Sequence, residues 1–192
     1  MDSENIQRSQ TALYGEEVPR RGPSSANRGY SGMKKDSPEP YEDSQALGIL
    51  KQLHDQQLLV VNSRRRNGLI LYKQFHAEFA GPGSAVGGSF DADCQRVLPV
   101  GNLSLIDPET SDERQRAYLI RRQWVRLTKQ ITDNPVPLQR AQMILNQFEQ
   151  YFDAKTIAQL PDEAFALLVG VLPETIRKVR DTADRVDIGM KS

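Results

Sequence analysis

Side chains able to do chemistry are few in this chain and stand far apart. His54 sits among residues patterned as a helix, and His76 follows a run of strand formers with Glu78 as the nearest carboxylate. Two histidines so separated do not make a metal-binding pattern, because zinc and related ions need three or four donors at defined spacing. Cys94 lies between Asp93 and Gln95, with no histidine close in sequence to take its proton, so no thiolate nucleophile is specified. The glycines of GPGSAVGGS, residues 81–89, lack the Lys-Ser/Thr pair and the following helix of a phosphate loop. No Gly-x-Ser-x-Gly elbow, Walker loop or paired-carboxylate signature occurs. The chain therefore reads as non-enzymatic, with no catalytic residue, no cofactor site and no metal site. What remains is cationic. Arg64, Arg65 and Arg66 stand in a row, and Arg177, Lys178 and Arg180 crowd a segment near the C-terminus. Cations on a short loop or a helix can grip a phosphate backbone or an acidic partner.

Composition limits how such binding works. The chain has 25 basic and 25 acidic residues, a formal net charge of zero, so there is no global field to draw it onto nucleic acid or an anionic membrane. Any such contact must be local. A single cysteine closes no intramolecular disulfide, which suits a reducing compartment. The start, MDSENIQRSQ, lacks a signal pattern, and no run approaches the ~18 apolar residues of a membrane span. The expectation is a cytoplasmic protein without a membrane partner.

The elements that must position these residues follow from pattern. Residues 1–43, punctuated by Pro19, Pro23, Pro38 and Pro40, carry isolated apolar residues with no period and are expected to be a disordered tail. Ser44 is a plausible N-cap for a helix bearing Ala46, Leu47, Leu50 and Leu53 on one side. LLVV at 58–61 and LILYKQF at 69–75 are strand-like, and Asn67-Gly68 between them is a strong hairpin signal. That reading gives a helix plus small β-hairpin over residues 44–80, with Arg64 to Arg66 at its tip. Residues 81–106 are expected to be a flexible linker.

Residues 107–188 read as a helical domain. Asp107-Pro108 and Ser111 are alternative helix starts, followed by Ala117, Ile120, Trp124, Leu127 and Ile131 at spacings of three and four. TDNPVP, residues 132–137, breaks this helix, and Leu138, Ala141, Leu145, Phe148 and Phe152 repeat the spacing. Two matched stripes across a short break imply an αα-hairpin. A short helix with Ile157 and Leu160 comes next, then Pro161. The fold class expected is mainly α.

The segment EAFALLVGVLPETIRKVR, residues 163–180, supports a more specific reading. Asp162 can cap a first helix, Gly170 can supply a turn, and Pro173 can open a second helix. Over residues 162–181 this stretch resembles the helix-turn-helix unit of bacterial transcription regulators, including the lac repressor and mercury-regulator families. Ala166 matches the small residue where the helices cross and Gly170 the turn glycine, while Phe165, Val169, Val171, Ile176 and Val179 match the apolar positions. The resemblance implies that the second helix enters a DNA major groove. Glu174, Thr175, Arg177, Lys178 and Arg180 are then the nucleic-acid-binding residues, with Arg64, Arg65 and Arg66 as weaker candidates. It implies a homodimer too, since one such unit gives little affinity. Leu172 departs from the pattern, standing where a Ser or Thr cap is usual. Residues 111–192 hold 13 basic and 11 acidic residues, a net of +2, short of the basic footprint of a strong DNA binder.

Two functions follow as expectations. One is a DNA-binding transcription regulator acting through the C-terminal helix pair. The other is a protein-protein adaptor using the same helical region without DNA, in which Gln139, Gln142, Gln147 and Gln150 provide polar partner contacts.

Overall fold

The computed structural model describes residues 44–189, with side chains described to Thr182; the tail expected over residues 1–43 lies outside the described residues. The described residues belong to one compact unit. Its elements run α1 (Ser44–His54), β1 (Leu58–Val61), β2 (Asn67–Tyr72), β3 (Ala77–Ala80), β4 (Ala85–Gly87), a 3₁₀ turn (Gly88–Phe90), β5 (Arg96–Gly101) and β6 (Leu105–Ile106), then α2 (Ser111–Thr132), α3 (Pro137–Tyr151), α4 (Ala154–Gln159), α5 (Asp162–Val169) and α6 (Pro173–Gly189).

The strands form two antiparallel sheets of three, ordered β4-β1-β6 and β3-β2-β5. This overturns the expected mainly α fold with a single hairpin: the protein is mixed α and β. The reason lies in the LLVV and LILY runs. Every residue of β2 is buried, which alternation with solvent on one face would not allow. Leu69 and Leu71 point into a core shared with Leu59, Val61, Val86, Val97 and Leu103, which α1 covers with Ile49 and Leu53. Ile70 and Tyr72, on the opposite face, join the helical core. Buried strands must pair their backbone N–H and C=O groups on both edges, and β2 does so with β3 and β5 while β1 does so with β4 and β6.

The Asn67-Gly68 turn is corrected with it. Both residues lie inside β2 and are buried, and a Cβ on Gly68 would run into the Phe79 ring. Here glycine serves close approach across the β2-β3 pair. The tight connection instead joins β2 to β3, where the Lys73 N–H donates to the His76 carbonyl at 2.8 Å. The stretch 81–106, expected to be a flexible linker, contributes β4, β5 and β6. Gly81 sits under the Trp124 indole, which leaves no room for a Cβ.

The helices follow the apolar stripes at most positions, with Leu127 and Leu138 left exposed. Thr110 caps α2 in a capping box, its hydroxyl accepting from the Glu113 N–H at 3.1 Å while the Glu113 carboxylate accepts from the Thr110 N–H at 3.1 Å. Ala117, Trp124 and Ile131 of α2, and Ala141, Ile144, Leu145 and Phe148 of α3, are buried. Phe79 of β3 is their meeting point. Its ring centroid lies 5.2 Å from Trp124, 4.8 Å from Phe148 and 5.9 Å from Phe152, and Phe148 in turn lies 4.9 Å from Phe165 of α5. All but the tilted Phe79–Phe148 pair are edge-on, and such pairs add about 0.5–1.5 kcal/mol each beyond their burial.

Candidate interaction surfaces

The α5-α6 pair is built from its turn outward. Gly170 ends α5 at φ 63° and ψ 49°, the left-handed region glycine enters without steric cost, and its N–H donates to the Ala166 carbonyl. Ala166 is buried behind it, and Ile176 and Val179 of α6 are buried against α5 and α3. Arg140 of α3 clasps the turn, donating to the Gly170 carbonyl at 2.8 Å and to the Asn134 carbonyl at 2.9 Å. The sequence reading did not single out Arg140; it stands in an amphipathic helix with nothing to mark its target.

Cap and cations differ from the expectation. Asp162 does not cap α5; it lies in the first turn, after Pro161. Its carboxylate serves α6 instead, pairing with Arg180 at 3.2 Å and Arg177 at 3.4 Å. Arg180 is turned inward. It donates to the Leu160 carbonyl at 3.0 Å and the Ile157 carbonyl at 3.3 Å, the open end of α4, and lies over the Phe165 ring at 5.1 Å. The Ile157 carbonyl also accepts from the Leu160 N–H at 3.1 Å, so Arg180 adds a second donor there and one at the Leu160 carbonyl beyond the helix end. Of the expected DNA-contacting residues, Glu174 and Lys178 are exposed, Arg177 is exposed but paired, Thr175 is half-buried, and Arg180 is committed to the fold. Leu172, just before α6, is 69% exposed. Arg64, Arg65 and Arg66 are exposed on the connection between β1 and β2, away from any ion pair among the described residues.

Three concave surfaces flank this region. A cleft of about 520 Å³ lies between the β2-β3 turn, the second half of α2 and the α5-α6 turn. Phe75, Val125, Leu167 and Val171 give it an apolar wall, with His76, Glu78 and Lys129 on its polar side. Phe75 stands at its rim 82% exposed. A second groove of about 600 Å³ runs between α3 and α6 past Leu138, Gln139, Gln142 and Lys178. A third, of about 320 Å³, separates α2 from α3 and is lined by Leu127, Met143, Gln147, Gln150 and Tyr151. The four glutamines are thus divided between two grooves.

The titratable residues are drawn into a structural tie. Lys73, at the end of β2, is buried and pairs with buried Asp91 at 3.1 Å and with Asp93, while its ammonium donates to the Phe90 carbonyl at 2.8 Å. Arg121 of α2 pairs with Glu78 of β3 and reaches Asp91 at 3.4 Å. Burial disfavours both charged forms, but the partners prevail. Asp93 and Asp91 raise the Lys73 pKa above its usual value, and Arg121 lowers that of Glu78. Lys73 stays protonated and Glu78 ionised through neutrality, so neither is poised to exchange a proton. Cys94 is buried, its thiol pushed up to about 11 by desolvation, and its Sγ–H points at the Arg96 carbonyl at 3.2 Å. His54 does not reach that sulfur; its Nε2 bonds the Cys94 carbonyl at 2.7 Å.

Among the described residues no three His, Cys, Asp or Glu side chains converge as a metal-binding set, and no helix is long and apolar enough to cross a membrane. No family model matches the chain, and neither a curated protein nor a solved structure is similar to it.

Proposed function

We infer that the protein is a non-enzymatic, cytoplasmic regulator that works as an adaptor, binding another protein through the cleft between the β2-β3 turn, α2 and the α5-α6 turn. The observation that carries this reading is Phe75, an aromatic ring left 82% exposed at the rim of a cleft whose wall is Val125, Leu167 and Val171. Buried aromatic anchors surrounded by apolar walls dominate the energetics of protein interfaces. An exposed one beside a preformed cleft has the geometry of an unfilled contact. The apolar Leu172, where a DNA-reading helix has a polar cap, extends the same character across the α5-α6 turn.

DNA recognition by α6, with dimerisation, is the second reading. It is favoured by exposed Lys178 and by Arg177, whose exposed pairing with Asp162 at 3.4 Å is weak enough for a phosphate to compete with. Against it stands the loss of Arg180 to the fold, which leaves α6 one unpaired cation among its described residues beside Glu174 and Asp181.

A photocrosslinking amino acid placed at position 75 in the full chain separates the two. The adaptor reading expects a discrete adduct with one other protein, insensitive to nuclease and lost when Val125→Glu puts a charge into the cleft. Adducts that vanish with nuclease, or that Val125→Glu leaves unchanged in a folded protein, contradict it.

A further inference from the structure

We propose that the exposed face of α2, together with the Arg64–Arg66 loop beside it, is a nucleic-acid backbone-binding surface, separate from both α6 and the cleft. The sequence of α2 is one-sided in charge: between Glu113 and Asp133 it contains Arg114, Arg116, Arg121, Arg122, Arg126 and Lys129 and no acid at all. The structure shows which of these are already used. Arg121 is taken by Glu78 and Asp91, Lys129 by Asp133 at 2.9 Å, and Arg114 reaches the Pro108 carbonyl at 3.4 Å. Arg116, Arg122 and Arg126 remain, all exposed and in no ion pair among the described residues.

Helical geometry puts these three on one side. With Ala117, Trp124 and Ile131 buried, a turn of ~100° per residue sets Arg122 and Arg126 opposite the buried line and Arg116 on its flank about 80° from Arg126, with exposed Gln115, Gln123 and Gln130 among them. At ~1.5 Å per residue their axial separations are about 9 Å and about 6 Å along a helix of about 33 Å. That spacing suits successive contacts along a phosphate backbone, which presents a charge every ~3.4 Å of axis per strand.

The loop adds to the same flank. A Cβ added at Gly83 would meet both Ile120 of α2 and Ser63 within 4 Å, which sets the start of the β1-β2 connection near the edge of α2 that carries Arg116 and Gln123. The loop is held in shape by its asparagines. The Arg64 N–H donates to Asn62 Oδ1 at 3.0 Å, and Asn67 Nδ2 to the Asn62 carbonyl at 3.2 Å. Arg64, Arg65 and Arg66 are thereby presented on an ordered base, so fewer degrees of freedom are lost on binding. Guanidinium groups take phosphate oxygens in pairs, and flanking amides donate to phosphate and sugar. The guanidinium fork suits phosphate and carboxylate alike, and it is these six exposed arginines spread over α2 and the loop that suit the repeated charges of a backbone better than a short acidic peptide. The contact predicted is to the backbone, hence indifferent to sequence.

Fluorescence anisotropy of the full chain with a labelled mixed-sequence duplex, from about 50 to about 300 mM salt, tests this. The variants are Arg116→Gln/Arg122→Gln/Arg126→Gln, Arg64→Gln/Arg65→Gln/Arg66→Gln, and Lys178→Gln for α6, each checked for native circular dichroism; polyglutamate serves as a competing polyanion. The expected result is wild-type binding, about tenfold or more weaker in each triple variant, with a log-log salt slope shallower by about 2–3, and changed less than twofold by Lys178→Gln. The proposal is overturned if the wild type does not bind at the lowest salt, if the α2 triple variant binds as the wild type does, if Lys178→Gln weakens binding more than the triple variants, or if polyglutamate binds more tightly than the duplex.

Discussion

Arg180 is the residue whose role changes most once its contacts are known. Its guanidinium bonds the Ile157 and Leu160 carbonyls, pairs with Asp162 and stacks on Phe165, so one side chain joins α4, α5 and α6. A hydrogen bond to a charged group contributes about 1.5–3 kcal/mol, and removing Arg180 also leaves the Leu160 carbonyl without its donor. Arg180→Ala is expected to lower stability by about 2–3 kcal/mol in urea unfolding, whereas Lys178→Ala, exposed and unpaired, changes it by less than about 0.5 kcal/mol. Equal effects of the two would show that Arg180 is a surface cation after all. Little of this was legible in the sequence. Arg177, Lys178 and Arg180 look alike in the run TIRKVR, and only the helical phase relative to Asp162 and the end of α4 distinguishes them. Cys94 and His54 show the same limit: they meet, but through a backbone carbonyl that no residue pattern records.

At the scale of elements, stripes were readable and strand partners were not. The three-four spacing of Ala117, Ile120, Trp124, Leu127 and Ile131, and of Leu138, Ala141, Leu145, Phe148 and Phe152, placed α2 and α3, because a helix carries its period within one segment, although Leu127 and Leu138 turn out exposed. Strand pairing is non-local. Nothing in LLVV says that its neighbours are residues 85–87 and 105–106, and Asn67-Gly68 imitates a turn although its glycine is required by Phe79. The glycines of residues 81–89 were misread likewise, Gly81 being dictated by Trp124. The link between sheets and helices is the Lys73-Asp91-Arg121-Glu78 tie, and it sets a pH dependence. Glu78 titrates below its usual 4.5 when folded, so its contribution is complete above that value and disappears as pH falls through the folded pKa. Lys73 titrates above its usual 10.5, so its contribution is complete below that value and is lost at more alkaline pH. Urea midpoints measured from about pH 7 down to about pH 3 should fall for the wild type and fall less steeply for Glu78→Gln, which should already be about 1–2 kcal/mol less stable at neutrality. Parallel acid limbs in the two proteins would remove Glu78 from the tie.

Across the whole molecule, a chain of zero net charge keeps its cations apart by use. Arg180 at the end of α4, Arg140 at the α5-α6 turn and Arg121 of α2 hold elements together, while Arg116, Arg122 and Arg126 of α2 and the arginines of the β1-β2 loop are exposed and unpaired among the described residues. The cleft walled by Val125, Leu167 and Val171 lies on the other flank of α2 from Ile120 and the loop. On the proposed reading, a protein held in the cleft leaves these arginines free to rest on a nucleic-acid backbone. The α5-α6 turn forms one wall of that cleft, and Ala166, Ile176 and Val179 of the helix pair are buried in packing. Hydrogen exchange of the full chain, measured with and without the protein captured at position 75, tests this most directly. The account predicts added protection over residues 75–79, 125–132 and 166–171 with residues 174–181 unchanged; protection confined to residues 174–181, and elicited by duplex DNA alone, would contradict it.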